Sequence, residues 1–372
     1  MAPERPCWRS GLLVTAVGVT MAWVTGASWS EHTAHQPSGP TIQFGTGHFN
    51  REHKAFHYWD REKEIPAVCA RCHTIGGVPQ YLADGKTGPG QHVKNAFACT
   101  TCHADLASYA RHTVSKVNFP SGISVDSGVN DSNLCMTCHQ GRESTVSVNK
   151  ALEGIDADKP EPKLNFIHVH YAGAGGMNYG TQAKVGYEYG GKTYAGRFNH
   201  VPTVNTCTSC HEPHSGELAA AKCGACHQGV NSVADVAKIR LTSRGDFDGN
   251  GKEEGLAQEL AGLHKELYVA IQQYAKTVGG AAIAFSEQAH PYWHTDRNGN
   301  GVIDTDEVNP ANKYPGYTPR LMQAVYNYTF VLRDPGAAYH NGRYALQLVY
   351  DSLESLAESG KAGVNMQGKV RP

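Results

Sequence analysis

Residues 207–227 read CTSCHEPHSGELAAAKCGACH, and the pattern at both ends of this segment limits how the chain can fold. In that pattern two residues separate a pair of cysteines, and a histidine follows the second cysteine. Three more copies lie upstream. The five copies are Cys69-Cys72-His73, Cys99-Cys102-His103, Cys135-Cys138-His139, Cys207-Cys210-His211 and Cys223-Cys226-His227. They use every cysteine of the 372-residue chain except Cys7.

The Cys-x-x-Cys-His pattern is the attachment signature of c-type haem. Two cysteines at this spacing reach the two vinyl groups on one edge of a porphyrin, and the adjacent histidine then lies beneath the iron as the proximal ligand. The motifs therefore predict five covalently bound haems c, each with its motif histidine on the iron.

Three other uses of paired cysteines fit the sequence less well. Zinc sites join two Cys-x-x-Cys pairs, do not need a histidine after each pair, and would leave a fifth pair without a partner. A redox dithiol needs one motif rather than five. A disulfide framework would not repeat one spacing five times.

The sixth position of each iron separates an electron carrier from an enzyme, because an open iron can bind a substrate. Methionines outside the motifs and the N-terminal segment are few: Met177, Met322 and Met366. Bis-histidine ligation is therefore expected at most or all sites. The histidines available for it are His48, His53, His57, His92, His112, His168, His170, His200, His214, His264, His290, His294 and His340. Among these, His214 is too close to His211 to serve the same haem, and it could serve a neighbouring one.

The N-terminal segment resembles a secretory signal. Arg5 and Arg9 precede an apolar run over residues 11–26, and small residues follow. The run is shorter than the ~20 residues of a membrane span, so we expect cleavage near Ala27 and no stable membrane span afterwards. The formal net charge of −1 gives no basic excess that would point to nucleic acid.

We expect four regions: a signal peptide (1–27), a leader (28–47), a five-haem domain (48–235) and a helical domain with a calcium-binding loop (236–372). The predicted fold is mainly α with much loop and a small β-hairpin at Tyr187–Tyr194, a multihaem cytochrome c fold packed around covalently bound haems. Helical spacing of apolar residues predicts three C-terminal helices. They start near Leu256, behind Thr318 and Pro319, and near Gly342.

Residues 296–307 read DRNGNGVIDTDE, which matches the EF-hand calcium loop. A glycine stands at its sixth position, where the loop must bend sharply. The predicted ligands are Asp296, Asn298, Asn300, Val302 through its carbonyl, Asp304 and Glu307. A weaker candidate loop begins at Asp246 and continues with Asp248, Asn250 and Lys252. Its twelfth residue is Ala257, so Glu254 or Glu259 would have to supply the closing carboxylate.

Nearly the whole chain after the signal resembles the multihaem cytochromes c of metal- and sulfur-metabolising bacteria. More narrowly, it resembles exported polyhaem cytochromes with an EF-hand-like C-terminal part. The segments that carry the resemblance are Ile65-Pro66 before the first motif, CHQGRES at 138–144, YEYGGKTY at 187–194, CHEPH at 210–214, and DPG at 334–336 through His340-Asn341. The resemblance implies five distal ligands: His48, His170, His200, His214 and His340.

The first functional hypothesis is an electron carrier, periplasmic or secreted, that passes electrons between redox protein partners in respiratory or extracellular electron transfer. The second is a multihaem reductase of a small nitrogen or sulfur oxyanion, which needs an open iron. The third is a self-associating subunit of a haem-conducting filament. The regular motifs and the abundant histidines favour the carrier.

Overall fold

The computed structural model describes residues 48–49, 54–88, 91–92, 97–240, 245–288 and 290–372. The predicted signal peptide, the leader and His53 lie outside these residues. The proposed division at residue 235 stays a prediction.

Short helices and long connections make up the first two thirds of the described chain. Eight α-helices of at most eight residues are found there: α1 (Ala67–His73), α2 (Gly77–Asp84), α3 (Cys99–Cys102), α4 (Asn130–Met136), α5 (Thr145–Leu152), α6 (Ala174–Tyr179), α7 (Cys207–Cys210) and α8 (Ala220–Cys223). Helices this short are not stable in isolation. Their positions must therefore depend on tertiary contacts or on a bound group.

Three two-stranded antiparallel sheets join loops rather than form a layer. They pair β1 (Glu64–Ile65) with β2 (Gln91–His92), β3 (Val117–Asn118) with β4 (Ser124–Val125), and β5 (Ile283–Phe285) with β6 (Trp293–Thr295). The last pair matters most for a predicted site, because β6 ends directly before the Asp296 loop.

Three long helices pack together at the C-terminal end, as the spacing of apolar residues predicts: α9 (Leu256–Thr277), α10 (Pro319–Leu332) and α11 (Ala337–Glu358). Leu263, Val325 and Leu348 are fully buried between them. The predicted cap of α10 is confirmed, since the Leu321 amide donates to the Thr318 hydroxyl at 3.1 Å. Helix α11 begins five residues earlier than expected, and its backbone leaves helical geometry at Asn341.

The predicted β-hairpin at Tyr187–Tyr194 is wrong. The chain does turn at Gly190-Gly191, but the flanking residues form no strands. Their polar groups bond to side chains instead: the Tyr187 amide donates to the Asn327 side chain at 2.8 Å, and the Tyr189 amide donates to the Tyr194 hydroxyl at 2.9 Å. Burial against α10 and α11 provides partners that replace the ladder.

In the part of the chain that the structure describes, no helix combines the length and the apolar character needed to cross a bilayer.

Candidate haem-binding site

Each Cys-x-x-Cys-His motif occupies one helical turn. The first lies inside α1. In the other four, the amide of the motif histidine donates to the carbonyl of the first cysteine at 2.8–3.0 Å. Residues three apart in such a turn lie on the same side of the helix, so the two thiols of a motif face one direction. None of the ten described cysteines forms a disulfide, and the thiols are therefore available for thioether bonds.

Every motif histidine faces a second histidine across a gap of similar width. The ring centroids are 5.8 Å apart for His73 and His170, 6.4 Å for His103 and His214, 6.0 Å for His139 and His48, 6.2 Å for His211 and His340, and 6.1 Å for His227 and His200. These partners are the five histidines that the family resemblance implied, and each faces a different motif.

The gap matches the space that one metal ion needs between two imidazoles. A metal–imidazole bond is about 2.0 Å and a ring nitrogen lies about 1.1 Å from its centroid, so two rings on one metal have centroids about 6.2 Å apart. The ten imidazoles therefore fit five bis-histidine iron sites.

Hydrogen bonds orient several of these rings through the Nδ1 nitrogen. Nδ1 of His73, His103 and His139 lies 2.9, 2.6 and 3.0 Å from the carbonyl oxygens of Ala55, Tyr109 and Ala172. Two of the facing histidines are held in the same way. Nδ1 of His48 lies 3.3 Å from the Pro213 carbonyl oxygen, and Nδ1 of His214 lies 3.0 Å from the Glu212 carboxylate. A proton held on Nδ1 leaves Nε2 with its lone pair, which is the form that binds a metal.

His340 has the strongest such partner. Its Nδ1 lies 2.8 Å from both carboxylate oxygens of Asp334, and that carboxylate is buried. Burial alone would lower the pKa of His340, but the Asp334 carboxylate outweighs it and raises that pKa. Gly336 leaves room for the ring, because a Cβ there would lie 2.4 Å from it. The sequence marked the turn at Asp334 but contained no signal that this carboxylate holds His340.

Burial keeps other imidazoles neutral. Desolvation lowers the pKa of His139, and desolvation together with the nearby His73 lowers the pKa of His170 to about 4. A neutral ring is the ligand form, so both sites suit a metal at neutral pH.

One connected cavity of about 2500 Å³ lies among the five histidine pairs. Pockets for a single small ligand measure roughly 300–1,000 Å³, so this cavity has room for several. A smaller space of about 540 Å³ opens beside the His103–His214 pair. The ten paired histidines and all ten motif cysteines line the large cavity, which therefore connects all five pairs.

Motifs that are distant in sequence meet in space. The Cys138 Sγ donates to the Arg71 carbonyl at 3.8 Å, directly beside Cys72. The neighbouring Cys138 thiol lowers the pKa of Cys72 to about 6, and Cys72 together with burial raises the pKa of Cys138. Cys135 is likewise a neighbour of Cys207, whose pKa its thiol lowers to about 6, and the Cys207 amide donates to the Ser132 hydroxyl at 3.4 Å. The third motif thus contacts the first and the fourth.

Two other described histidines have surroundings that do not suit iron ligation. His264 is fully buried, stacks on Tyr328 with centroids 4.0 Å apart, and has its Nε2 only 2.8 Å from the Tyr328 carbonyl. Nε2 of His112 lies 3.1 Å from the Thr100 carbonyl. In each case the nitrogen that would bind iron faces a carbonyl oxygen. His168 differs, since it lines the cavity 5.7 Å from His170.

The Asp296 loop has the internal bonding of a calcium loop. Asp296 accepts amide bonds from Gly299, Asn300 and Gly301 at 2.7–3.2 Å. Glu307, only 2 % exposed, accepts from the amides of Arg297 and Asp304 at 2.6 and 3.1 Å. The two carboxylates are thereby held at the first and twelfth positions.

In the weaker loop, a carboxylate from α9 completes an acidic cluster. Oxygens of Asp246, Asp248 and Glu259 all lie within 4.8 Å of one another. Burial and the nearby Glu259 and Asp246 carboxylates raise the pKa of Asp248 to about 6. Arg240 offsets part of the charge through a 3.0 Å ion pair with Glu259. Of the two closing residues considered from the sequence, Glu259 is the one in this cluster.

Comparison with known proteins gives two relatives with informative names. The chain is 26 % identical to "C-type polyheme cytochrome OmcB" of Geobacter sulfurreducens, over 93 % of this chain and 50 % of the relative. It is also 26 % identical to "C-type polyheme cytochrome OmcC" of the same species, over 80 % of this chain and 44 % of the relative. The chain thus spans about half the length of the curated relatives it matches.

No family model matches the chain, and no solved structure matches it. The similarity to two polyhaem cytochromes over most of the chain supports a multihaem cytochrome family.

Proposed function

We propose that this chain is an exported electron carrier with five covalently bound haems c, each held between two histidines. The five histidine pairs, with ring centroids 5.8–6.4 Å apart, are the observation that carries the proposal. In it, the motif histidines are proximal ligands, and His48, His170, His200, His214 and His340 are distal ligands. The names of the two polyhaem relatives support electron transfer through c-type haems.

Haem c supplies a one-electron iron couple when it is bound. The residues of this chain favour transfer over catalysis, because a histidine is available for both faces of every iron. No coordination position then remains for a substrate. Carbonyl and carboxylate groups on Nδ1 hold several of the rings still, which limits rearrangement between redox states.

The contacts between motifs support close packing of the five sites. Cys138 meets Cys72, and Cys135 meets Cys207, so the third site is next to the first and the fourth. The fourth and fifth motifs are joined by a short segment that returns on itself, with the Ala219 amide donating to the Cys210 carbonyl at 2.8 Å. We infer a connected set in which the third site is the junction. Redox proteins would be the partners at its ends.

We also propose calcium at the Asp296 loop, with Asp296, Asn298, Asn300, Val302, Asp304 and Glu307 as ligands. A second calcium ion would bind Asp246, Asp248, Asn250 and the Lys252 carbonyl, with Glu259 as the closing carboxylate. In both loops the ion would stiffen a segment next to α9, which supports a structural role.

Mass spectrometry and spectroscopy of the exported holoprotein test the proposal. We expect the mass of the chain plus five haems, low-spin spectra for all five irons, and no CO binding after reduction. His340→Ala should expose one iron in five to CO, whereas His264→Ala should expose none. A native high-spin haem that binds CO would favour a reductase, and fewer than five haems would contradict the proposal directly.

A further inference from the structure

Arg333, the residue directly after α10, is buried with part of its guanidinium unused. The residue is 8 % exposed, and its Nη1 donates to the Glu287 carboxylate at 2.9 Å. Its Nε and Nη2 are buried and have no hydrogen-bond partner among the described residues. Arg333 lines the large cavity. Because a buried donor without an acceptor destabilises the folded chain, and more so when it is charged, these two groups call for an acceptor.

Aromatic rings hold the guanidinium in place. Its carbon lies 4.3 Å from the ring centroid of Tyr171, 5.0 Å from that of Tyr292 and 5.4 Å from that of Phe285. The two tyrosine hydroxyls bond each other at 2.7 Å. The hydroxyls thus satisfy each other, and the direction of the free guanidinium donors is fixed.

A second buried nitrogen lies in the same place. Nε2 of His168 is buried without a partner, and the His168 ring is 4.9 Å from that of Tyr292 and 5.3 Å from that of Tyr171. The same ring is 5.7 Å from His170. The unused guanidinium donors of Arg333 and the unpartnered Nε2 of His168 therefore lie around Tyr171 and Tyr292, on the cavity wall beside the His73–His170 pair.

The chemistry of these groups selects an oxyanion. A guanidinium fork binds a carboxylate with two parallel hydrogen bonds, and such charge-assisted bonds are the strong ones. Haem c carries two carboxylates, its propionates, on the edge opposite the thioether bonds. A free carboxylate from solution offers the same chemistry, and its binding would depend on its concentration.

We propose that Arg333, with His168, binds a propionate of the haem held between His73 and His170. This inference rests on the proposed function. Arg333 neutralises the propionate charge near that iron. Since a negative charge stabilises the oxidised iron, losing Arg333 lowers the reduction potential of this haem and of no other.

Spectroelectrochemical titration of the holoprotein tests the assignment. In Arg333→Gln we expect five haems, one of which has a lower reduction potential. Its reduction equilibrium should shift about tenfold, which corresponds to 59 mV for one electron. The potential that moves must be the one that rises in His170→Met, because methionine ligation raises haem potentials. Arg343→Gln, which removes an exposed arginine of α11, is the matched control and leaves all five potentials in place.

Glu287→Gln gives a second test that keeps Arg333. Removing the Glu287 carboxylate takes a negative charge from the same guanidinium, so the same potential should rise. This variant carries the test if Arg333→Gln does not fold. Five unchanged potentials in a five-haem variant would overturn the assignment. A shift that appears only with added acetate would overturn it as well, since it would mean a free carboxylate. A wild-type protein without five haems would instead refute the proposed function.

Discussion

At the scale of single residues, the nitrogen that faces a protein carbonyl or carboxylate separates candidate ligands from other histidines. His73, His103 and His139 turn Nδ1 toward the protein, which leaves Nε2 for a metal. His264 turns Nε2 toward the Tyr328 carbonyl and stacks on the same residue. Its stacking also fills core volume between α9 and α10, so its role is structural.

Asp334 is the residue whose charge should tune one iron most directly. In Asp334→Asn, the His340 ring loses a carboxylate acceptor and the site loses a negative charge. Both changes disfavour the oxidised iron. The reduction potential of the haem between His211 and His340 should therefore rise by about 60 mV, which is a tenfold shift in its reduction equilibrium. Potentiometry of the five haems measures this. Asp60→Asn, which removes the carboxylate 2.8 Å from the partly exposed His57, should change none of them. If Asp334→Asn leaves all five potentials unchanged, the Asp334 carboxylate does not act on an iron ligand.

At the scale of elements, the short motif helices differ from the Asp296 loop, whose conformation is fixed by contacts within the protein. A four-residue helix such as α7 has one turn and cannot persist without contacts. The Asp296 loop, in contrast, is held by β6 on one side and by amide bonds to Asp296 and Glu307 inside. Such a loop can accept an ion with little rearrangement.

Glu307→Gln tests the calcium loop. In excess calcium we expect the melting temperature to fall by about 2–4 °C, because the variant loses the stabilisation that ligand binding adds to the folded state. The haem spectrum should stay the same. Asp306→Asn is the matched control, since it removes an exposed carboxylate at a position of the same loop that does not bind the ion. Calcium calorimetry should count two sites in the wild type and one in Glu307→Gln; an unchanged count would contradict the site.

At the scale of the whole molecule, two kinds of interior lie side by side. Around α9, α10 and α11 the side chains fill the space themselves, and Leu263, Tyr274 and Phe330 are fully buried. Among the histidine pairs, a cavity of about 2500 Å³ is left. Dense packing is normal for a protein interior, so we expect bound groups to fill that cavity.

The buried His264 should make global stability depend on pH. Burial lowers its pKa to about 4 in the folded chain, against about 6.5 unfolded. The unfolded chain therefore binds the proton first as pH falls, and stability present above pH 6.5 is lost toward pH 4. Between pH 7 and pH 5 the free energy of unfolding of the wild type should fall by about 2 kcal/mol more than that of His264→Phe. The phenylalanine ring keeps the stacking on Tyr328. Denaturant unfolding at both pH values measures the difference. Equal losses for His264→Phe and the wild type would refute the role of His264.

The sequence alone was sufficient wherever the signal is local. Paired cysteines with an adjacent histidine, the Asp296 loop, the cap of α10, and the apolar periods of α9 and α10 depend on residues within one or a few turns. The start of α11 and the segment at Tyr187 were predicted less well. The backbone at Tyr187 is held by Asn327, and at the start of α11 the Asn341 side chain donates to the carbonyls of Asn178 and Gly196. These distant contacts override local turn chemistry.

The tertiary structure alone decided which histidines meet. His139 faces His48 and His211 faces His340, although 91 and 129 positions separate them in the chain. Composition left thirteen histidines equivalent, and the resemblance selected five without pairing them. The contact of the Asp334 carboxylate with His340, the unused donors of Arg333 and the position of Glu259 beside Asp246 and Asp248 likewise depend on separate segments coming together. Spacing along the chain determines what one turn can bind, whereas long-range packing determines which groups share a site.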